Sequence, residues 1–198
     1  MAILAEGLLE YSLRIECPHS ESRMFPLTDR AAEGRVNPKG IPCFFAASDR
    51  TTALSEVRPW VGAKVSLGSF RTRKELKIVD CSDVPDNLPI YINISQDGDF
   101  KEPEQPKRDQ IVWAWINDAF SRPKDNDEGK ADYAPTQMIA EVWRQAGYDG
   151  IGYKSKLGQG MNIALFELDS VEIQKCELHE VESVTFSHEE CSNAWYKR

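Results

Sequence analysis

Apolar and polar residues alternate over residues 8–15 (LLEYSLRI). Leu9, Tyr11, Leu13 and Ile15 stand against Glu10, Ser12 and Arg14, and this period of two predicts a first strand. Residues 18–30 are polar and read as a loop. Asn37-Pro38-Lys39-Gly40 reads as a turn, because proline presets φ and glycine accepts a positive one. The apolar run over 41–47 fits a strand covered on both faces, with Pro42 tolerable at its start. Ser48 or Asp49 then caps a short helix whose apolar edge is Ala53, Leu54 and Val57, and Pro59 stops it. Two strands are expected at 63–70 and 76–79, around the basic turn 71–74. A long polar excursion covers about 82–132, with four prolines by residue 107, a short apolar strand at 90–94, and a charged loop at 123–132.

Inside that excursion the period changes to that of a helix. Over 108–120, Val112, Trp115, Ile116 and Ala119 form one stripe, widened by Trp113 and Phe120, and this stripe predicts the buried face. Over 135–146 the stripe is Met138, Ile139, Val142, Trp143 and Ala146, with Pro135 at the start and Gly147 placed to cap the end. Three strands follow at 150–154, 162–168 and 171–178, then a loose tail at 187–198. Their connections are too short for crossover helices, so the pairing should be antiparallel. The expectation is an α+β fold: one domain over 1–198, with a mixed, mainly antiparallel sheet flanked by helices.

Composition narrows the classes. The chain has 198 residues and a formal net charge of −8, which disfavours nonspecific, direct binding to nucleic acid. Five scattered cysteines without a C-x-x-C pair suit reduced thiols. The first residues lack the basic start of a signal peptide, and no apolar run reaches the length of a membrane helix. A cytoplasmic protein without membrane contact is expected. Cys176-x-x-His179 and His188-x-x-Cys191 have zinc-like spacing, but Cys176 and His179 would face opposite sides of a strand, so no metal site is expected. The five tryptophans mostly sit on helical stripes and are expected in the core.

Two stretches combine residues that can do chemistry. In GRVNPKGIPCFFAASDRTTALSEVRP (34–59), Arg35 precedes the turn and Glu56 sits at the border of the helix's apolar edge. At roughly 100° per residue, Glu56 lies about 60° from Ala53 and about 100° from Val57. A guanidinium at a turn suits a pyrophosphate or carboxylate. A carboxylate at a core border can stabilise positive charge developing on a sugar ring. Both residues read equally well as structural, Arg35 paired with an acidic neighbour and Glu56 with Arg58 or Arg35. In YKSKLGQGMN (153–162), a glycine-bearing turn joins two strands, and its glycines would let backbone approach a ligand closely. It is neither a G-x-G-x-x-G motif nor a P-loop.

Together with YAPTQMIAEVWRQAGYDGIGYKSKLGQGMNIALFELD (133–169), the first stretch resembles the two signatures of the RES domain. The name-giving arginine, glutamate and serine fall on Arg35, Glu56 and Ser155. The resemblance implies a fold like that of ADP-ribosyltransferases and an enzyme that cleaves NAD+ by hydrolysis or phosphorolysis, or ADP-ribosylates a protein. NAD+ would be its substrate, with no further cofactor. It also implies a toxin held by an Xre-type helix-turn-helix antitoxin, and leaves a homodimer open. Glu56 would stabilise the ribosyl cation or orient the ribose hydroxyls, and Arg35 would hold phosphate or ribose, with Arg58 as a second cation. Ser155 would bind ribose or position Glu56, Asn162 would brace the turn, and Tyr153 would contact substrate. Many members carry a tyrosine where this chain has Phe45, which keeps a ring for stacking on nicotinamide but loses the hydroxyl. That departure supports the rival reading, a nucleotide-binding module with weak or no turnover.

Overall fold

A computed structural model describes residues 2–6, 16–84, 104–122 and 133–188, the first of these by its backbone alone. The strand expected over 8–15, that over 90–94, the loop over 123–132 and the tail from 189 lie outside the described residues. The strands are β1 (Ala2–Glu6), β2 (Phe44–Ala47), β3 (Lys64–Thr72), β4 (Ile78–Asp80), β5 (Gly150–Lys154), β6 (Met161–Leu165) and β7 (Val171–Glu180). The helices are α1 (Arg50–Glu56), α2 (Gln105–Ser121) and α3 (Ala134–Gln145).

The strands form one sheet in the order β4-β5-β6-β2-β1-β3-β7. Only β4 and β5 run parallel among the described pairs; the others are antiparallel. This is the mixed, mainly antiparallel α+β arrangement that the strand spacing predicts. Asp149, just before β5, accepts from Lys77 N at 2.8 Å and from Lys74 Nζ at 2.9 Å, which ties the two parallel strands at their start.

Alternation along the central strands divides the core. Phe44, Ala46 and Leu165 pack with Met24, Phe70 and Val171 on one face. Ile151, Tyr153 and Ala164 pack on the other with Phe120 of α2 and Ala140 of α3. Tyr153 pairs with Asn162, and Asn162 with Ala47, so strand register alone sets these three side by side on the helix-covered face.

The helices occur where expected, but the buried sides differ. On α2 the buried residues are Ala114, Asn117, Phe120 and Ser121, while Val112, Trp113 and Trp115 are exposed. The stripe through Val112, Trp115 and Ala119 therefore faces out. Apolar side chains stand nearly all round this helix, so period alone did not choose its inner face. The buried side sets Phe120 and Ala114 into the core beside a polar contact, Asn117 Oδ1 accepting from Lys154 N at 2.9 Å at the end of β5. On α3, Thr136 and Ala140 are buried, Ile139 and Trp143 lie against the core, and Met138 and Val142 are exposed. Trp60 and Trp115 are 51% and 55% exposed, which corrects the expectation of a tryptophan-filled core. Trp143 does reach the core, stacked between Phe120 and Trp113.

Candidate active site

Arg35 is presented by a loop wound around one buried amide. Asn37 is 3% exposed, and its Nδ2 donates to Ile41 O at 2.8 Å and Ala32 O at 2.9 Å. Gly34 N closes the same loop by donating to Asn37 O at 2.9 Å. From α3, Gln137 Nε2 donates to Gly34 O at 2.9 Å and to Asn37 O at 3.2 Å. The Arg35 backbone is thus held on both sides without help from its own side chain. The guanidinium is free to extend, and Nη2 donates to the main-chain carbonyl of Arg122, the residue that follows α2.

The second anchoring point is the start of α1. Asp49 caps the helix: Oδ1 accepts from Thr52 N at 2.9 Å and Oδ2 accepts from Thr52 Oγ1 at 2.7 Å. The Thr52 hydroxyl also holds the end of the turn 155–160, since Gly160 N donates to Thr52 Oγ1 at 2.9 Å. The neighbouring Ser48 Oγ accepts from Met161 N at 3.0 Å at the start of β6. A Cβ at Gly160 would stand 2.0 Å from Asp49 Oδ2, and one at Gly158 would stand 2.7 Å from Thr52 Cα. Those glycines are needed for contact with α1, where the sequence suggested contact with a ligand.

The Thr52 amide, chiefly, and then its hydroxyl hold the Asp49 carboxyl below the usual carboxylate range. A carboxylate with a lowered folded-state pKa stabilises above its unfolded value, near pH ~3.9, and loses that contribution as pH falls through the folded value. Asp49→Ala should cost about 1 kcal/mol at neutral pH, the usual worth of such a cap. The gap from wild type should narrow in thermal melts repeated at successively lower pH. An equal gap at every pH would mean that the carboxylate's charge is not what caps α1.

α1 ends at Glu56, and both halves of the site meet there. Ser155 Oγ donates to Glu56 Oε1 at 2.7 Å, and Asn162 Nδ2 donates to the same oxygen at 2.7 Å. Ser155 Oγ itself accepts from Leu157 N and Gly158 N, each at 3.0 Å, so its single proton is directed to the carboxylate. Neither Arg35 nor Arg58 pairs with Glu56. Its Oε2 accepts no hydrogen bond among the described residues. Asn162 bonds the carboxylate directly instead of bracing the turn.

Gly34, Arg35, Phe45, Ala46, Ala47, Ala53, Glu56, Tyr133, Tyr153 and Asn162 line a cavity of about 310 Å³. It has a carboxylate, a guanidinium and aromatic rings on a wall of small residues. Tyr153 is 4% exposed, and burial pushes its phenol up to about 12; the Arg35 charge opposes that rise and the Glu56 charge adds to it. It therefore stays a neutral hydroxyl between the two charges. Of the predicted site residues, Arg35, Phe45, Glu56, Tyr153 and Asn162 line the cavity, and Ser155 acts through Glu56. Arg58 is exposed, has φ of 46° and is not among the lining residues. Tyr133, the first residue of the second signature but not singled out there, joins the site because the docking of α3 brings it in. Among the described residues no three His, Cys, Asp or Glu gather to hold a metal.

Comparison with known proteins adds two findings. The family model described as the RES domain matches residues 13–188. A chain of the crystal structure of the M. tuberculosis MbcT–MbcA toxin–antitoxin complex superposes with a TM-score of 0.49 at 12% identity, covering 90% of this chain and 83% of that one. A search of curated proteins finds no match.

Proposed function

The chain belongs to the RES domain family, and on that premise we propose that its cavity cleaves the bond between nicotinamide and ribose in NAD+. One observation carries this reading: Glu56 is held through Oε1 by two neutral donors, with Oε2 and its charge left toward a cavity that also holds Arg35. Structural carboxylates of this kind are ordinarily neutralised by a cation; here the guanidinium lining the same cavity is bonded elsewhere.

The chemistry follows from the charges. When the C1′–N bond breaks, its electron pair leaves with nicotinamide and C1′ acquires positive charge. A fixed carboxylate beside that carbon favours the transition state over the ground state. Phe45 offers a ring face to nicotinamide, and Arg35 offers forked donors to the phosphates. A cavity of about 310 Å³ is small among ligand sites, so it suits the nicotinamide-ribose end, with the rest of the dinucleotide outside. With water as acceptor the products are nicotinamide, ADP-ribose and a proton; with phosphate, ADP-ribose 1″-phosphate; with a protein side chain, an ADP-ribosylated target. Hydrolysis is the reading preferred here.

Family membership supports a toxin that lowers cytoplasmic NAD+ and is restrained by an Xre-type helix-turn-helix antitoxin. No helix among the described residues is long and apolar enough to cross a membrane. Purified chain incubated with NAD+ should release free nicotinamide, and if phosphorolysis competes, added phosphate should divert the second product from ADP-ribose to ADP-ribose 1″-phosphate. No release above background in either condition would overturn the enzymatic reading. It would favour the nucleotide-binding alternative that the Phe45 substitution supports.

A further inference from the structure

The C-terminal half of α2 touches both sides of the site. At its middle, Asn117 is 7% exposed, and its Oδ1 accepts from Lys154 N at 2.9 Å and from Ser121 Oγ at 3.4 Å. Lys154 is the last residue of β5, and Ser155 follows it. One residue on, Asp118 Oδ1 accepts from Lys156 Nζ at 2.9 Å, on the other side of Ser155. At the end of the helix, the Arg122 carbonyl accepts from Arg35. A stretch about one and a half turns long therefore holds the two neighbours of the serine that orients Glu56, and also the guanidinium facing it.

We propose that Asn117 is a positioning residue: by fixing β5's last amide to α2, it holds Ser155 in line with Glu56 while the same helix holds Arg35. The chemical reason is specific to an amide at this point. An apolar side chain would satisfy the burial of an inner helix face better than asparagine does, yet would leave the Lys154 N–H without this acceptor. The bond fixes where the turn 155–160 begins, and Ser155 Oγ reaches Glu56 from that turn. A shift of the order of an ångström there would misdirect the carboxylate without removing any group that touches substrate.

This inference rests on the proposed cleavage of NAD+ for its kinetic test, and has a second readout that does not. Three variants of the full chain would be compared with wild type: Asn117→Leu, which removes the acceptor; Asn117→Asp, which keeps it; and Val171→Ala, which loosens the core on the opposite face of the sheet without touching the site. In nicotinamide release, Asn117→Leu should lose about tenfold or more in kcat, with KM changed far less, as expected of a misplaced group. Asn117→Asp should recover most of that loss, and Val171→Ala should keep its kcat despite a lowered melting temperature. Hydrogen exchange should show residues 154–160 opening faster in Asn117→Leu and unchanged in Val171→Ala. A wild-type protein that releases no nicotinamide would overturn the cleavage reading, and the exchange measurement would then decide this one. Unchanged exchange at 154–160 in Asn117→Leu would overturn the positioning role, as would a loss of kcat in Val171→Ala equal to that in Asn117→Leu.

Discussion

Glu56→Gln should lower nicotinamide release by about 10²-fold or more, the usual size of a lost transition-state electrostatic contribution. The substitution tests charge with little else disturbed. Glutamine keeps the length and shape of the side chain, and its carbonyl oxygen can still accept from Ser155 Oγ and Asn162 Nδ2 as Oε1 does now. Thermal stability should therefore stay near that of wild type. The missing element is the negative charge on Oε2 beside the developing cation. Because that charge matters most in the transition state, kcat should fall and KM should change little. A variant that turns over at close to the wild-type rate would show that the cavity is not where the bond breaks.

Arg35→Ala should lower kcat/KM by a similar factor, about 10²-fold, if the guanidinium grips the phosphates as a charge-assisted, bidentate partner. The loop should survive this change, since Asn37, Gly34 and Gln137 hold it through backbone atoms and not through the arginine side chain. Arg35→Lys is the informative companion. Lysine restores the charge but not the planar fork, so it should remain well below wild type. Comparing kcat/KM for NAD+ with that for nicotinamide mononucleotide separates two roles. If Arg35 holds the pyrophosphate, the variant should lose much of its preference for the dinucleotide. Full activity of Arg35→Ala on NAD+ would remove the arginine from the mechanism and leave it as a tie between its loop and α2.

Much of the frame was readable locally. The Asn37–Gly40 turn, the Asp49 cap and the strands β5 and β7 depend on residues a few positions apart, and each lies where its local chemistry placed it. Strand β6 stops at Leu165, short of the expected 168, where a 3₁₀ turn begins. Packing between distant elements was not readable in that way. On α2, Val112 and Trp115 are as apolar as Ala114 and Phe120. The inner face includes Asn117, whose partner is an amide 37 residues away, and no periodicity encodes that meeting. The site divides similarly. Arg35, Glu56 and Ser155 were singled out by resemblance to a family, while the residues themselves allowed Glu56 a salt bridge that the structure does not form. Its two donors lie 99 and 106 residues away, so the carboxylate's environment exists only once α1 and β6 are assembled. Tyr133 opens the second signature, yet nothing in its local sequence marked it as a cavity residue. The glycines of the turn were visible, but their neighbour was not: α1, and not a ligand, occupies the space that side chains would need.

The acceptor for Arg35 on α2 is a main-chain carbonyl, and this has a consequence for variation in the chain. A backbone oxygen has no side chain to lose, so a change of amino acid at position 122 still presents the same atom to Arg35, although it removes the Arg122 side chain's own ion pair with Asp118. What the contact measures is length: one residue inserted into or deleted from α2 would turn its end by about 100° and move it by about 1.5 Å. For this one contact, the helix acts as a ruler whose graduations matter more than the letter written at its end.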